Sequence, residues 1–483
     1  MDSIDWGVAD AAAGIRHGTI SAAEYARALL NRIDEHEALG AFITVRADAV
    51  LAAAAEADAA RASGATLGPL HGVPLAVKDN IDTADLPTTG GTPALRRHQP
   101  VADADVVRRL RDAGALVLGK TNLHELAYGM TSNNGHYGPV ANPYRTDRIA
   151  GGSSGGTAAA VAARMAPAGL GTDTGGSVRM PASLCGVVGF RPTLGRYSQN
   201  GLILVSSTRD TVGPLARSVA DVRLLDSILS TVPAPQDGES GPIRLGVVRS
   251  PFLDGLASDL AECFERRVAQ LADAGLDIIE LEFPSHTGDL IVKAGFPIAF
   301  YETPIELRRY LAASDIAMSL AELVAGCGSP DVEQLLEGLV GAGATSPEDY
   351  TAALTRYRPE LDALVRASLE THRVDTLVWP TTPLTAAPIG ADEVELGGVL
   401  VSAFLAYSRT TNLGSILGWP GISVPAGLDN AGLPIGIALD GPPGSDSRLL
   451  RIAGICEQLF GRLPAPQPAT LPPVFGKHDD SLS

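Results

Sequence analysis

The spacing of apolar and polar positions changes several times along the chain, and each change marks an element. Ser21 and Glu24 are spaced as a capping box, and Tyr25, Leu29 and Ile33 then recur at every fourth position, which predicts an amphipathic helix within residues 18–36. The alanine-rich run from Ala47 to Ala62 predicts a second helix, broken by Pro69, Gly72 and Pro74. From Val73 the pattern shortens: Pro74–Lys78 and Ala115–Leu118 have the length and apolarity of strands and flank a helical stretch, Asp103–Ala113. The alternation returns as strand Arg244–Val248, helix Leu256–Ala274 and strand Asp277–Phe283. Such a rhythm predicts an α/β fold built on a partly parallel sheet.

Residues 290–372 carry mostly helical pattern, including a helix announced by Ser346 as N-cap and Pro347 at its first position, and they read as an insertion flanking a pocket. Strand character resumes at Thr376–Trp379 and again at Gly421–Ala426 and Leu433–Leu439, the last two joined across Asp429-Asn430-Ala431-Gly432. The organisation expected is N-terminal helices over residues 1–65 packing on a core, one large domain over 66–463 with its insertion at about 290–372, and a proline-rich tail, 464–483, with little order.

Composition narrows the function. With 45% hydrophobic and 19% charged residues, the 483-residue chain can bury a substantial core. Its 55 acidic and 37 basic residues give a net charge of -18 without a long basic run, which argues against nucleic acid as a partner. Cys185, Cys263, Cys327 and Cys456 are scattered, with no CxxC pair or histidine cluster to hold a metal, so reduced thiols in a cytoplasmic protein are expected. The acidic N-terminus has no signal-like pattern, and no stretch holds eighteen uninterrupted apolar residues, so neither export nor a membrane span is expected. Lysine occurs only at Lys78, Lys120, Lys293 and Lys477, arginine serving at nearly every other basic position.

The chemistry concentrates in two glycine-rich motifs. Gly151-Gly152-Ser153-Ser154-Gly155-Gly156 runs directly into an alanine-rich helix, which argues against a flexible linker and for a turn that frees backbone N–H donors. Gly171-Thr172-Asp173-Thr174-Gly175-Gly176-Ser177 enters a short helix towards Cys185. Ser177 could be a simple N-cap, but two preceding glycines let consecutive amides converge as an oxyanion hole requires, with Thr174, Gly175, Gly176 and Ser177 as the candidate donors. A serine hydroxyl needs a base to attack. No histidine adjoins either motif, His124 and His136 lying in a loop-like stretch. Lys78 ends the apolar run Val73–Val77, and a desolvated lysine can lose its proton whereas arginine cannot. Lowering its pKa to about 7 requires roughly 4 to 5 kcal/mol of differential destabilisation of the ammonium, within reach of burial.

Together VPLAVKDN, GGSSGG and GTDTGGSVRMPASLCGVVGFRPT strongly resemble the amidase signature family over nearly the whole chain, with 75 positions from Lys78 to Ser153 and 24 from there to Ser177 in register with that family. The resemblance implies a single large domain with a mixed β-sheet core covered by helices on both sides. It implies that Ser177 attacks the amide carbon to form an acyl-enzyme, that Ser153, after a cis peptide at Gly152, relays the proton to neutral Lys78, and that no metal or cofactor takes part. Gly152, Ser154, Asp173 and Arg179 are expected to support this triad. Further segments, TNLHELAYGMTSNN and LVWPTTPLTA among them, look most like mandelamide and indoleacetamide hydrolases, which implies a small aryl-substituted amide as substrate. Pocket candidates are Tyr128, Gly129, Met130, Thr131, Phe296, Phe300, Trp419 and Ile437, although each apolar one among them could equally be core. Homodimers are common in the family, but oligomeric state is not legible here.

Three rivals compete. Gly114 to Thr121 fits GxxxxGK[ST], but its four central residues are continuously apolar and read as strand, not as a phosphate cradle. Gly151 to Gly155 also fits GxSxG, an esterase elbow that would need a preceding strand, where Pro143–Ala150 is polar, and a histidine such as His286 or His372. The third is the glutamine-hydrolysing component of a tRNA-dependent amidotransferase, for which no arginine site for a glutamine carboxylate is evident in the sequence.

Overall fold

The computed structural model describes residues 3–232, 241–341 and 343–466. Eleven of its strands form one mixed sheet: β1 (Phe42–Thr44), β2 (Pro74–Lys78), β3 (Leu116–Thr121), β4 (Ala168–Asp173), β5 (Val188–Arg191), β6 (Thr211–Ala216), β7 (Arg244–Val248), β8 (Asp277–Leu281), β9 (Thr376–Pro380), β10 (Gly421–Leu428) and β11 (Pro434–Asp440). Their order across the sheet is β1-β3-β2-β4-β6-β5-β10-β11-β9-β7-β8. Strands β3, β2 and β4 are mutually parallel, as are β9, β7 and β8, while the centre from β4 to β9 is antiparallel throughout. A strand in the middle of such a sheet is covered on both faces, so it reads as a continuous buried run. β2 is buried at all five positions, including Lys78.

The helices follow the expected pattern closely where caps mark them. Ser21 caps the helix Ala22–Glu35, and both bonds of its capping box with Glu24 are made. The helix Ala47–Ala62 has the expected bounds. The region expected to be helical begins with Thr287–Ala313 and ends with Arg358–His372, with Pro347–Ala352 capped by Ser346 between them. The strand expected at Ala115–Leu118 instead starts at Leu116 and runs on to Thr121, because the buried Lys120 ammonium finds Asp79, Thr88 and the Pro87 carbonyl as partners. Within the described residues, no helix is long and apolar enough to cross a membrane. Most of the proline-rich tail, residues 467–483, lies outside the described residues.

What positions the site is a pair of close approaches in the left half of the sheet. The helix Gly155–Ala162 consists of small, fully buried residues and lies against β2 and β4. A Cβ on Gly169 of β4 would come 2.7 Å from Thr157 of that helix and 2.8 Å from the Ala76 carbonyl of β2, so glycine is what lets these three elements meet.

The N-terminal helices bury Tyr25 and Leu29 against the same core that supports β2. Removing the Ser21 cap with Ser21→Ala is expected to lower stability by about 1 kcal/mol, read as a lower urea midpoint with hydrolytic activity unchanged at low denaturant. An unchanged midpoint would show that the cap does not hold this helix.

Candidate active site

The parallel register of β2 and β4, Ala76 opposite Gly169 and Val77 opposite Leu170, puts the carboxyl ends of the two strands side by side. Open α/β sheets place their ligand sites at such ends. From β2 comes Lys78, from β4 Thr172 and Asp173. The Lys78 Nζ donates to Ser153 Oγ and to Thr172 Oγ1, each at 2.8 Å. Among the described residues no carboxylate forms an ion pair with it. Burial is the largest influence on this amine and lowers its pKa from the ordinary lysine value to about 7, against the opposing pull of the Asp210 and Asp173 carboxylates. Near neutral pH a substantial fraction of Lys78 is therefore an uncharged base.

Ser153 follows a cis peptide at Gly152 and is fully buried. Its carbonyl accepts from the His124 amide at 3.2 Å and from Ser132 Oγ at 3.3 Å, which fixes the turn from both sides. The Ser154 amide donates to the Ser177 carbonyl at 3.1 Å and so ties the first glycine motif to the second. Ser154 Oγ donates to the Thr172 carbonyl at 3.1 Å and accepts from the Thr172 amide at 3.2 Å. A side chain on Gly171 would meet that hydroxyl at 2.6 Å, so the glycine makes room for it.

Asp173 organises the second motif. Its buried carboxylate accepts from the amides of Gly176 (2.9 Å) and Val178 (3.2 Å), and from the Arg179 and Arg191 guanidinium groups at 3.0 to 3.2 Å. Burial would raise its pKa, but Arg179 and Arg191 outweigh burial and hold the carboxyl well below the usual carboxylate range. Arg179 also donates to Asp440 Oδ1 at 2.9 Å, and Asp440 Oδ2 accepts from Trp379 Nε1 at 2.8 Å. The loop bearing Ser177 is thereby anchored to β9 and β11 across the sheet. Arg191 and Asp440 were not singled out by sequence reasoning, because a charged residue inside an apolar strand gives no hint of its partner.

The expectation for the oxyanion donors needs one correction. Gly176, expected to be one of them, turns its amide inward to Asp173, whereas the amides of Thr174, Gly175 and Ser177 carry no hydrogen bond to the described residues. Gly176 has φ +124°, and a Cβ there would collide with the Thr411 hydroxyl, so the turn requires glycine.

Thr174, Gly175 and Ser177 border a cavity of about 560 Å³. Tyr128, Gly129, Met130, Thr131, Phe296 and Phe300 all line it, as expected from the sequence. The rings of Phe296 and Phe300 lie 5.4 Å apart, and Phe404, which sequence reasoning missed, adds a third ring 6.4 Å from Phe296. Two candidates do not belong. Trp419 is buried in a separate cluster with its Nε1 bonded to Asp362, and Ile437 lies in β11 opposite Val424 and Pro380, packed into the core beneath the sheet. Both are apolar residues buried for packing, the commoner fate of such side chains. Arg209, Asn412, His124 and Asp331 also border the cavity.

The rival chemistries find no support in this geometry. Lys120 sits in mid-strand, fully buried and 3.1 Å from Asp79, unable to reach a phosphate. No strand leads into Gly151–Gly155, and both His286 and His372 are exposed and away from the cavity.

The amidase family model matches residues 24–450. The chain belongs to the amidase family. This amidase is 41% identical to the indoleacetamide hydrolase of Rhizobium radiobacter over 447 residues, covering 91% of this chain and 94% of that one. It is 39% identical to the mandelamide hydrolase of Pseudomonas putida over 472 residues, 95% and 92% of the two chains. Among solved structures, the peptide amidase of Stenotrophomonas maltophilia aligns with a TM-score of 0.82 at 32% identity, covering 96% of this chain and 99% of that one. A glutamyl-tRNA(Gln) amidotransferase component of Salinispora tropica is more distant, at 35% identity over 96% and 99%. The protein is thus a hydrolase of amide bonds on a single-domain α/β fold.

Two expectations follow from this geometry. Gly176→Ala should lower kcat by about 100-fold or more, because a Cβ against Thr411 displaces the turn that carries the neighbouring amides of Gly175 and Ser177, a loss on the scale of one misplaced oxyanion donor, with an unchanged far-UV circular dichroism spectrum; retained activity would show that the turn tolerates a side chain. The kcat/KM of the free enzyme should rise with pH through an apparent pKa near 7, because the ammonium form of Lys78 below that pH cannot accept a proton. A flat profile from about pH 5.5 to 8.5 would contradict that assignment.

Proposed function

We propose that this amidase hydrolyses small aryl-substituted carboxamides to the acid and ammonia through Ser177, Ser153 and Lys78. The observation that carries the proposal is the buried Lys78 amine, its pKa lowered by burial to about 7, bonded to Ser153 beside the loop that presents Ser177 to the cavity. In this reading Ser177 Oγ attacks the amide carbon as its proton passes to Ser153 and that of Ser153 to Lys78. The oxyanion that forms is held by the free amides of Thr174, Gly175 and Ser177. Reversal of the relay protonates the departing amine, leaving an acyl-enzyme that water, activated by the same base, hydrolyses. Asp173 and Arg179 hold the loop in place without touching the reacting atoms.

The substrate class rests on the aromatic wall. Phe296, Phe300 and Phe404 form a cluster of tilted rings lining an otherwise mixed cavity, a surface against which an aryl group can pack. The names of the indoleacetamide and mandelamide hydrolases point the same way. The four cysteines are unpaired, which suits a reducing, cytoplasmic setting.

Glutamine hydrolysis is the alternative, and here the structure supplies what the sequence did not, an arginine on the cavity wall. That arginine, Arg209, lies near the oxyanion loop, since a Cβ on Gly175 would be 3.8 Å from its Nη2. The glutamine α-carboxylate is three carbons beyond the scissile carbonyl, so a cation at the carbonyl end fits it poorly.

A hydrolysis panel of mandelamide, phenylacetamide, indoleacetamide, short aliphatic amides and glutamine tests the proposal. The aryl amides should give the highest kcat/KM, and Ser177→Ala should reduce kcat about 10⁴-fold or more. Turnover of glutamine alone would overturn the aryl assignment, and activity retained in Ser177→Ala would overturn the nucleophile.

A further inference from the structure

Arg209 is an unusual group to find at this place. Its side chain is nine-tenths buried yet borders the cavity, and no carboxylate pairs with it among the described residues. Nη1 donates to the Gly295 carbonyl at 2.8 Å and Nη2 to Asn412 Oδ1 at 2.6 Å, while the buried Nε has no partner among the described residues. A guanidinium has five N–H donors, so this one retains unused capacity after both bonds are made. Its backbone is held as well, the Arg209 carbonyl accepting from Arg191 Nη2 at 2.6 Å. The group is therefore fixed, charged and only partly satisfied. Burial pulls its pKa down to about 10, which leaves it protonated throughout the working range.

The location sets what it could recognise. A Cβ on Gly175 would lie 3.8 Å from Arg209 Nη2 and 3.7 Å from Asn412 Oδ1, so Arg209 and Asn412 stand within one side chain's reach of the loop proposed to hold the oxyanion. The aromatic wall of Phe296 and Phe300 belongs to the same helix whose Gly295 carbonyl orients the guanidinium. A substrate whose ring lies against that wall, and whose carbonyl oxygen lies on the oxyanion loop, has only its α-carbon between the two. We infer that Arg209, oriented by Asn412 and the Gly295 carbonyl, is a specificity-determining residue that donates a hydrogen bond to an oxygen substituent on the α-carbon of the substrate. The preferred substrates are then α-oxygenated arylacetamides, in which a hydroxyl, ether or keto oxygen supplies the acceptor.

This inference rests on the aryl-amide reading above and sharpens it. The test compares mandelamide with 2-phenylpropanamide, in which a methyl group replaces the hydroxyl at nearly equal size, in the wild-type enzyme and in Arg209→Met. A hydrogen bond to a charged donor corresponds to a preference of about 10- to 100-fold. The wild type should show such a preference in kcat/KM for mandelamide, and in Arg209→Met the ratio should fall to within about 2-fold of unity. A purely structural role for Arg209 would lower both substrates alike and leave the ratio intact, which would overturn the inference. Equal wild-type rates on the two amides would also overturn it while leaving the aryl-amide reading standing; hydrolysis of neither amide would sink both. Should Arg209→Met fail to fold, the wild-type ratio stands as the test, and Asn412→Ala, which frees the guanidinium to swing, should reduce that ratio.

Discussion

A single buried amine shapes the rest of this structure. Lys78 ends a strand that is covered on both faces, with two neutral hydroxyls as its hydrogen-bond partners. Desolvation favours the uncharged form, and the hydroxyls can accept from the amine without restoring the charge, so the outcome is a base stored inside the protein. Lys120, one strand away, shows the contrast. It is equally buried, but Asp79 lies 3.1 Å from its ammonium, and the pair serves to bind β3 to the segment after β2. Burial lowers the pKa of both amines, and what separates the two lysines is the partner, neutral hydroxyls for Lys78 and a carboxylate for Lys120.

Around the amine, charge is kept at a distance and used for rigidity. Asp173, Arg179, Arg191 and Asp440 form a buried network whose members satisfy one another and the turn amides of the second glycine motif. Removing one member would leave its partner buried and uncompensated, a loss of about 3 to 5 kcal/mol in comparable networks. The network connects β4, β5 and β11, so the sheet itself holds the turn that presents Ser177. The three amides left free in that turn are free because Asp173 takes the inward-facing ones.

Much of this was legible in the sequence, for identifiable reasons. Helices with capping boxes or proline at the first position came out near their observed bounds, because cap chemistry is local. Lys78 and the two glycine-rich turns were legible as candidates because turns of this kind feeding helices stand out from ordinary sequence, and the structure brings Lys78 to 2.8 Å from Ser153. Strands β4 and β6 escaped the periodicity reading since Ala168–Asp173 and Thr211–Ala216 contain glycine and proline, residues that normally punctuate turns but here permit close approach between layers. The rarity of lysine did not separate Lys78 from Lys120, because rarity carries no information about partners. Pocket residues divided by the same logic. Those next to the motifs, Tyr128 to Thr131, line the cavity because they lie close to the motifs, whereas Trp419 and Ile437 are ordinary core and Phe404 lies on a segment with no sequence mark of its neighbourhood.

The most direct test is the titration of Lys78 itself. With only four lysines in the chain, selective ¹³Cε and ¹⁵N labelling gives a spectrum simple enough to assign by the signal lost in Lys78→Met. A Lys78 resonance that titrates near pH 7 in the free enzyme is the predicted result. A resonance that remains that of an ammonium up to about pH 10, the ordinary range of an exposed lysine, would contradict the stored-base account.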